Sequence, residues 1–339
     1  MAVLWSWAYG AETTTELDLM GFHRPIGGGT QAPQSGPTNV YSYPAFPGIK
    51  YSWGCSGFRW IEYPPSVSTV TGSVAAAINS QLDWRADSDN WLIGFETGSG
   101  RKVRWYVTNA GTETTSCFVD NVLAGTVVVA SGDWQYVAIN YDVSTVNWTA
   151  TFWLNGAQIA SGTSTEVAET TVRYEHGGFS SSGLALLAQL IVYDNATTAA
   201  DAATPIFVTR LAPNADDSTA GTWVPSAGAT NIGVTNNNPF DPATYTQEAT
   251  PSSGDNVVTE VNNLVAQLGV TAGSVLGATN HTYSSGTALQ AFASCRDSLL
   301  PYVDGSTITP DASDPTYAFA TTTAGLTGTS TIDCKYEIV

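Results

Sequence analysis

Positive charge is what this sequence most lacks. Its 339 residues hold only 11 Lys and Arg against 29 Asp and Glu, a formal net charge of −18. Up to Pro205 there are 8 basic and 17 acidic residues, and from Ile206 onward 3 and 12, so each half carries −9. Acidity belongs to the whole chain and not to one tail. Nucleic-acid binding needs a basic stripe to neutralise phosphates. The one basic cluster, Arg101-Lys102-Val103-Arg104, is a single strand's worth of charge in an acidic field. No nucleic-acid partner is expected.

Metal-binding residues are scarce too. There are 3 His and 4 Cys, and Cys55, Cys117, Cys295 and Cys334 form neither a CxxC nor any zinc spacing. Two cysteines fall in each half, which leaves one disulfide per domain open. The alternative is buried thiols serving as small hydrophobes. No apolar run approaches the ~20 residues of a membrane span, so no membrane insertion is expected. The opening Met1-Ala2-Val3-Leu4-Trp5-Ser6-Trp7-Ala8-Tyr9 lacks a basic n-region and soon meets Glu12, Glu16 and Asp18. It reads as a first β-strand and not as a signal peptide.

Charged residues total 12%, against roughly 25% in ordinary soluble domains. Thr, Ser, Asn and Gly supply the polarity instead, and these favour half-buried strands and turns over helices. The 11 Trp, 15 Tyr and 11 Phe are ample for packed cores. A chain of this length predicts two domains, and this composition predicts that both are β.

The pattern agrees. Trp91-Leu92-Ile93-Gly94-Phe95 and Val103-Arg104-Trp105-Tyr106-Val107 flank the turn Gly98-Ser99-Gly100. Thr126-Val127-Val128-Val129 and Trp134 to Tyr141 flank Ser131-Gly132-Asp133. Thr149 to Leu154 and Ala157-Gln158-Ile159-Ala160 flank Asn155-Gly156, a pair suited to the two positive φ values of a type I′ hairpin turn. Short strands at even spacing predict an antiparallel sandwich. Gly183 to Asp194 reads as its last long strand, and Thr204-Pro205 as the linker. The predicted domains are residues 1–203 and a smaller β-sandwich over 204–339. In the latter, Val257 to Gly269 fits a helix or, preferred here, two short strands. The alternation of Ile332, Cys334, Tyr336 and Ile338 predicts a closing strand.

Candidate chemistry is sparse. Asp83, Asp87 and Asp89 lie close enough in sequence to converge on one calcium ion; the alternative is a solvated acidic turn. No other cofactor is expected. His23, His176 and His281 accompany no Gly-x-Ser-x-Gly elbow or Cys–His pairing. Glu175 could orient the imidazole of His176, but the preferred reading is a structural histidine at a strand end. Gly27-Gly28-Gly29 follows no strand and opens no helix, so it is no phosphate cradle. Trp53, Trp60 and Tyr63 crowd a Gly/Pro-punctuated segment: exposed, they would stack on sugar rings; buried, they fill a core. No catalytic residues emerge.

The motifs, taken in order, carry a resemblance. Met1-Ala2-Val3-Leu4-Trp5, Gly132-Asp133-Trp134, Phe152-Trp153-Leu154-Asn155-Gly156 and Ile191-Val192-Tyr193-Asp194 resemble the laminin-G/concanavalin-A-like jelly rolls of tailed bacteriophages. Arg210-Leu211-Ala212-Pro213, Trp223-Val224-Pro225-Ser226 and Asp241-Pro242-Ala243-Thr244-Tyr245 resemble a β-module appended in such virion proteins. The segment from His23 to Pro65 departs from that pattern, being longer and richer in proline and glycine. The resemblance implies a non-enzymatic structural protein of a phage particle, on the tail or decorating the head. It would be made in the bacterial cytoplasm, assembled with itself and other virion proteins, and open to contact with host glycans. The alternative is a carbohydrate-binding module or glycan-active enzyme of the same fold.

Overall fold

A computed structural model of the chain describes residues 3–8, 31–35, 51–56, 61–63, 67–81, 91–109, 114–129, 134–176, 184–194, 208, 211, 213–226, 230, 245–262, 277–286, 289–310, 316–322 and 331–339. Every strand pairing among them is antiparallel, and none of these residues is helical. The backbone packs as two compact units, Met1–Val208 and Thr209–Val339. The Thr204-Pro205 linker expected from the sequence lies outside the described residues.

The first unit contains β1 (Val3–Trp7), β2 (Gln31–Ser35), β3 (Tyr51–Ser56), β4 (Ile61–Glu62), β5 (Thr71–Gln81), β6 (Trp91–Thr97) and β7 (Lys102–Asn109). It continues with β8 (Thr114–Val119), β9 (Val122–Val128), β10 (Trp134–Asp142), β11 (Asn147–Leu154), β12 (Ala157–Thr165), β13 (Val172–His176) and β14 (Leu184–Asp194). An eight-stranded sheet runs β12-β11-β10-β5-β14-β3-β2, with β1 also on β14; a six-stranded sheet runs β4-β13-β6-β7-β8-β9. The chain changes sheet between β3 and β4, β4 and β5, β5 and β6, β9 and β10, β12 and β13, and β13 and β14. Such repeated crossing is the jelly-roll arrangement expected from the sequence.

Alternation explains which residues face inward. In β11, Trp148, Ala150 and Phe152 are buried while Asn147 and Thr149 are exposed, as a half-buried strand requires. Rings from the two sheets meet: Phe95 and Tyr141 at 4.3 Å, Trp105 and Phe152 edge-on at 6.3 Å. Buried polar tips find partners, as they must. Trp105 Nε1 donates to Thr115 Oγ1 at 2.5 Å, and that hydroxyl donates to the Val127 carbonyl at 3.0 Å. Trp148 Nε1 donates to the Val167 carbonyl at 2.7 Å. The hairpin turn is as the sequence predicts, with φ of 49° at Asn155 and 85° at Gly156. On one flank β9 and β12 come so close that a Cβ on Gly125 would lie 2.9 Å from the Ala160 side chain, and one on Gly162 2.7 Å from that of Ala124.

The second unit contains β15 (Ala215–Ala220), β16 (Trp223–Pro225), β17 (Thr246–Glu248), β18 (Asn256–Val261) and β19 (Ala278–Ser284). Then come β20 (Ala291–Asp297), β21 (Val303–Asp304), β22 (Thr316–Thr322) and β23 (Ile332–Ile338). A five-stranded sheet runs β15-β18-β23-β20-β21, with the pairs β16-β17 and β19-β22 separate from it. Val261, Ala293, Cys295 and Ile332 of the large sheet share one core cluster with Ala318 and Ala320 of β22. The start of the Val257–Gly269 segment is a strand, as preferred, and residues from Asn263 on lie outside the described ones. Cys117, Cys295 and Cys334 are free thiols, the first two buried.

Candidate functional site

Among the described residues of the first unit, the outer face of the six-stranded sheet carries a cluster of charged side chains, Glu96, Lys102, Arg104, Arg173 and Glu175. Its construction follows from register. Gly94 of β6 sits between Arg104 of β7 and Glu175 of β13. With no side chain on the middle strand, Arg104 reaches across to Glu175 and forms an ion pair there. A Cβ on Gly94 would lie 2.6 Å from Arg104 Cγ and 2.6 Å from the Val103 carbonyl oxygen. Glycine is what this crossing demands.

Both partners are buried, Arg104 at 6% and Glu175 at 1% exposure. Desolvation raises the Glu175 carboxyl above its usual range, with the Arg104 guanidinium pulling the other way. Around the pair the face opens to solvent. Arg173 reaches Glu96 at 3.2 Å and Glu175 at 3.7 Å, and Lys102 reaches Glu96 at 3.4 Å. Tyr106 and Phe118, both half-buried, meet edge-to-face at 5.6 Å. Arg104 Nη1 lies 3.5 Å from the Tyr106 hydroxyl, as its donor.

This arrangement settles the basic strand. Arg101 bonds Asp120 at 2.9 Å and also Glu166, Lys102 bonds Glu96, and Arg104 bonds Glu175. Every positive charge in the cluster is matched by a carboxylate of this chain.

It also bears out the structural reading of His176 over an imidazole oriented by Glu175. Adjacent residues of a strand point to opposite faces, so Glu175 lies on the outer face and His176 in the core. His176 is fully buried and neither ring nitrogen has a hydrogen-bond partner. Burial lowers its pKa from 6.5 to about 3, so it stays neutral. Glu175 cannot orient it. His281 is structural as well: it stacks on Tyr317 at 5.8 Å, with Nδ1 2.5 Å from that hydroxyl.

Of the aromatic segment, Tyr63 is 1% exposed and packs between Trp5 at 5.5 Å and Tyr174 at 5.7 Å. Burial is the reading that holds at this ring, because it belongs to the inner face. Trp53 is described through its backbone alone, opposite Leu187 and Pro33. Trp60, His23, Gly27 to Gly29, and the candidate calcium residues Asp83, Asp87 and Asp89 lie outside the described residues. Among the described residues no group of three or more His, Cys, Asp or Glu is placed to hold a metal ion.

The comparisons with known proteins come to rest on the fold. No family model and no curated protein matches the chain. Among solved structures it is similar to domain 4 of AbnA, a GH43 extracellular arabinanase from Geobacillus stearothermophilus, in complex with arabinotriose. That match has 14% identity, covers 51% of this chain and 88% of the other, and has a TM-score of 0.35. It is also similar to a legume lectin-like domain from Entamoeba histolytica, at 11% identity, 48% and 89% coverage, and TM-score 0.32. A third is the carbohydrate-binding module CBM66 from Bacillus subtilis, at 8%, 44% and 90%, and 0.29. Scores of this size say nothing about ligand or activity, which have to come from the chain's own residues.

Proposed function

We propose that the chain is a non-enzymatic structural component of a bacteriophage particle whose first unit contacts surface glycans through the outer face of its six-stranded sheet. The observation that carries the glycan reading is that Tyr106 and Phe118 share that face with the solvent-accessible charges of Lys102, Arg173 and Glu96, while the buried Arg104–Glu175 pair fixes the strands beneath them. A sugar offers an apolar ring face and a rim of hydroxyls. Aromatic rings take the first, and oriented ionic donors and acceptors take the second. The rigid sheet holds both in place before any ligand arrives, which limits the ordering penalty of binding. The particle reading is supported by the order of motifs that resemble phage virion proteins.

The enzymatic alternative has one observation in its favour. Glu175 and Glu96 share Arg173 on one face, and paired carboxylates with one raised pKa are what glycoside hydrolysis needs. Against it, Glu175 is already engaged as the anion of a buried ion pair and has little access to a leaving group.

A glycan array probed with the full chain, with and without calcium, tests the binding reading. Binding to a defined saccharide class without release of reducing sugar is expected. Release of reducing sugar that is lost in Glu175→Gln would replace this reading with the enzymatic one. Co-sedimentation with purified particles in a fixed copy number is expected, and a chain found only free in the lysate would end the structural assignment.

A further inference from the structure

Cys295 of β20 and Cys334 of β23 are direct partners in the antiparallel register. The ladder also fixes which kind of pair they form. The Val339 amide donates to the Gln290 carbonyl at 2.8 Å, and the Ser298 amide to the Thr331 carbonyl at 2.9 Å. Both are hydrogen-bonded pairs, and strict alternation between them makes 295/334 a non-hydrogen-bonded pair. The odd-numbered residues of β20 confirm this, since the Ala293 carbonyl accepts from Gly305 and Ala291 exchanges both bonds with Ile308. In such a pair the Cα atoms stand ~4.5 Å apart with side chains on one face, inside the range a disulfide spans. Cys295 lies in the core cluster and Cys334 packs against it.

We infer that Cys295 and Cys334 are a thiol pair that closes into a cross-strand disulfide when the protein meets a small external disulfide of the glutathione class. Cys334, half-buried, is the thiol such a reagent reaches first. Its thiolate attacks one sulfur of the external disulfide, forming a mixed disulfide and releasing one thiolate, which takes up the proton Cys334 gave away. Cys295 then loses its proton, attacks Cys334 Sγ and expels the second external thiol, which takes up that proton. Two protein thiols are oxidised to one disulfide and one external disulfide is reduced to two thiols. Cys295 suits the second step: its hydrogen bond with Cys334 and its burial hold its pKa well above the usual value, so it reacts only with a sulfur delivered beside it. This inference is independent of the glycan reading, which concerns the other unit.

The test is to incubate the full chain with oxidised glutathione and digest it with trypsin without reductant. The peptides ending at Arg296 and Lys335 are expected as one species, two hydrogens lighter than their sum, which a reductant separates. The melting transition of the second unit is expected to rise by roughly 5 °C on oxidation. Cys334→Ser is expected to melt with the reduced wild type and to show no rise. Two cysteines that both remain alkylatable after oxidation, or a glutathione adduct that persists on Cys334, would overturn the inference.

Discussion

The two units solve the same problem, burying the inner faces of antiparallel sheets, with different materials. The first fills its interior with large rings: Trp5, Trp105, Trp134, Trp148, Tyr63, Tyr136, Tyr141, Tyr174, Tyr193 and Phe95 are almost wholly buried. The second, among the described residues, has a cluster of Val261, Ala293, Cys295, Ala318, Ala320 and Ile332. Each aromatic ring removes 150–250 Å² from water, at roughly 25 cal/mol per Å² of apolar surface. A cluster of which half the residues are alanine gains less. The comparison teaches where rigidity is placed. The unit with the ring-filled core carries the charged outer face, and the other unit carries the register partners Cys295 and Cys334.

The largest effect should come from thinning the heavy core. Trp105→Ala removes a buried ring between the sheets and is expected to cost about 3–5 kcal/mol. Calorimetry of the intact chain should show the first unit's transition falling while the second's stays in place. If both fall together, the units do not unfold independently and the comparison breaks.

A smaller effect is expected from acid. In the unfolded chain His176 takes a proton near 6.5, and in the folded chain only near 3. As pH falls through that window the unfolded state binds a proton that the folded state refuses, so stability is full above pH 6.5 and declines toward 3. Between 6.5 and 4.5 the loss amounts to roughly 2–3 kcal/mol. Glu175 works in the opposite direction, since its raised pKa lets the folded state hold the extra proton first. His176→Leu should flatten the pH dependence of the urea midpoint for the first unit. An unchanged slope would mean that this histidine is not the group responsible.

The smallest effect sharpens the other side. Ile332→Val in the light core is expected to cost about 0.5–1.5 kcal/mol, read as a lowered second transition with the first unmoved.

Much of the first unit could be read locally. The Asn155-Gly156 turn announces itself because only certain residues accept its two positive φ values, and β6, β7, β10 and β11 carry aromatic and branched residues in period two. β5 escaped notice. Its Ala75-Ala76-Ala77 run has neither alternation nor β propensity, and it becomes a strand because β10 and β14 bond it on both sides. Small side chains serve there because the strand is buried from Gly72 to Ile78. In the site, the basic strand and Glu175 were visible, but their pairing spans 71 positions and depends on the gap at Gly94. No local signal connects those three residues. Glu175 and His176 look like partners in sequence, and the pleat separates them.

The proposed glycan contact rests on the sheet face of the first unit, and one set of titrations bears on that directly. A saccharide identified on the array is titrated by calorimetry into the wild type, Tyr106→Ala, Phe118→Ala and Tyr302→Ala, the last in the second unit. The account expects affinity to drop at least tenfold in the first two variants and to hold in the third, with all three folded by circular dichroism. Full affinity in Tyr106→Ala and Phe118→Ala, or a loss in Tyr302→Ala alone, would contradict it.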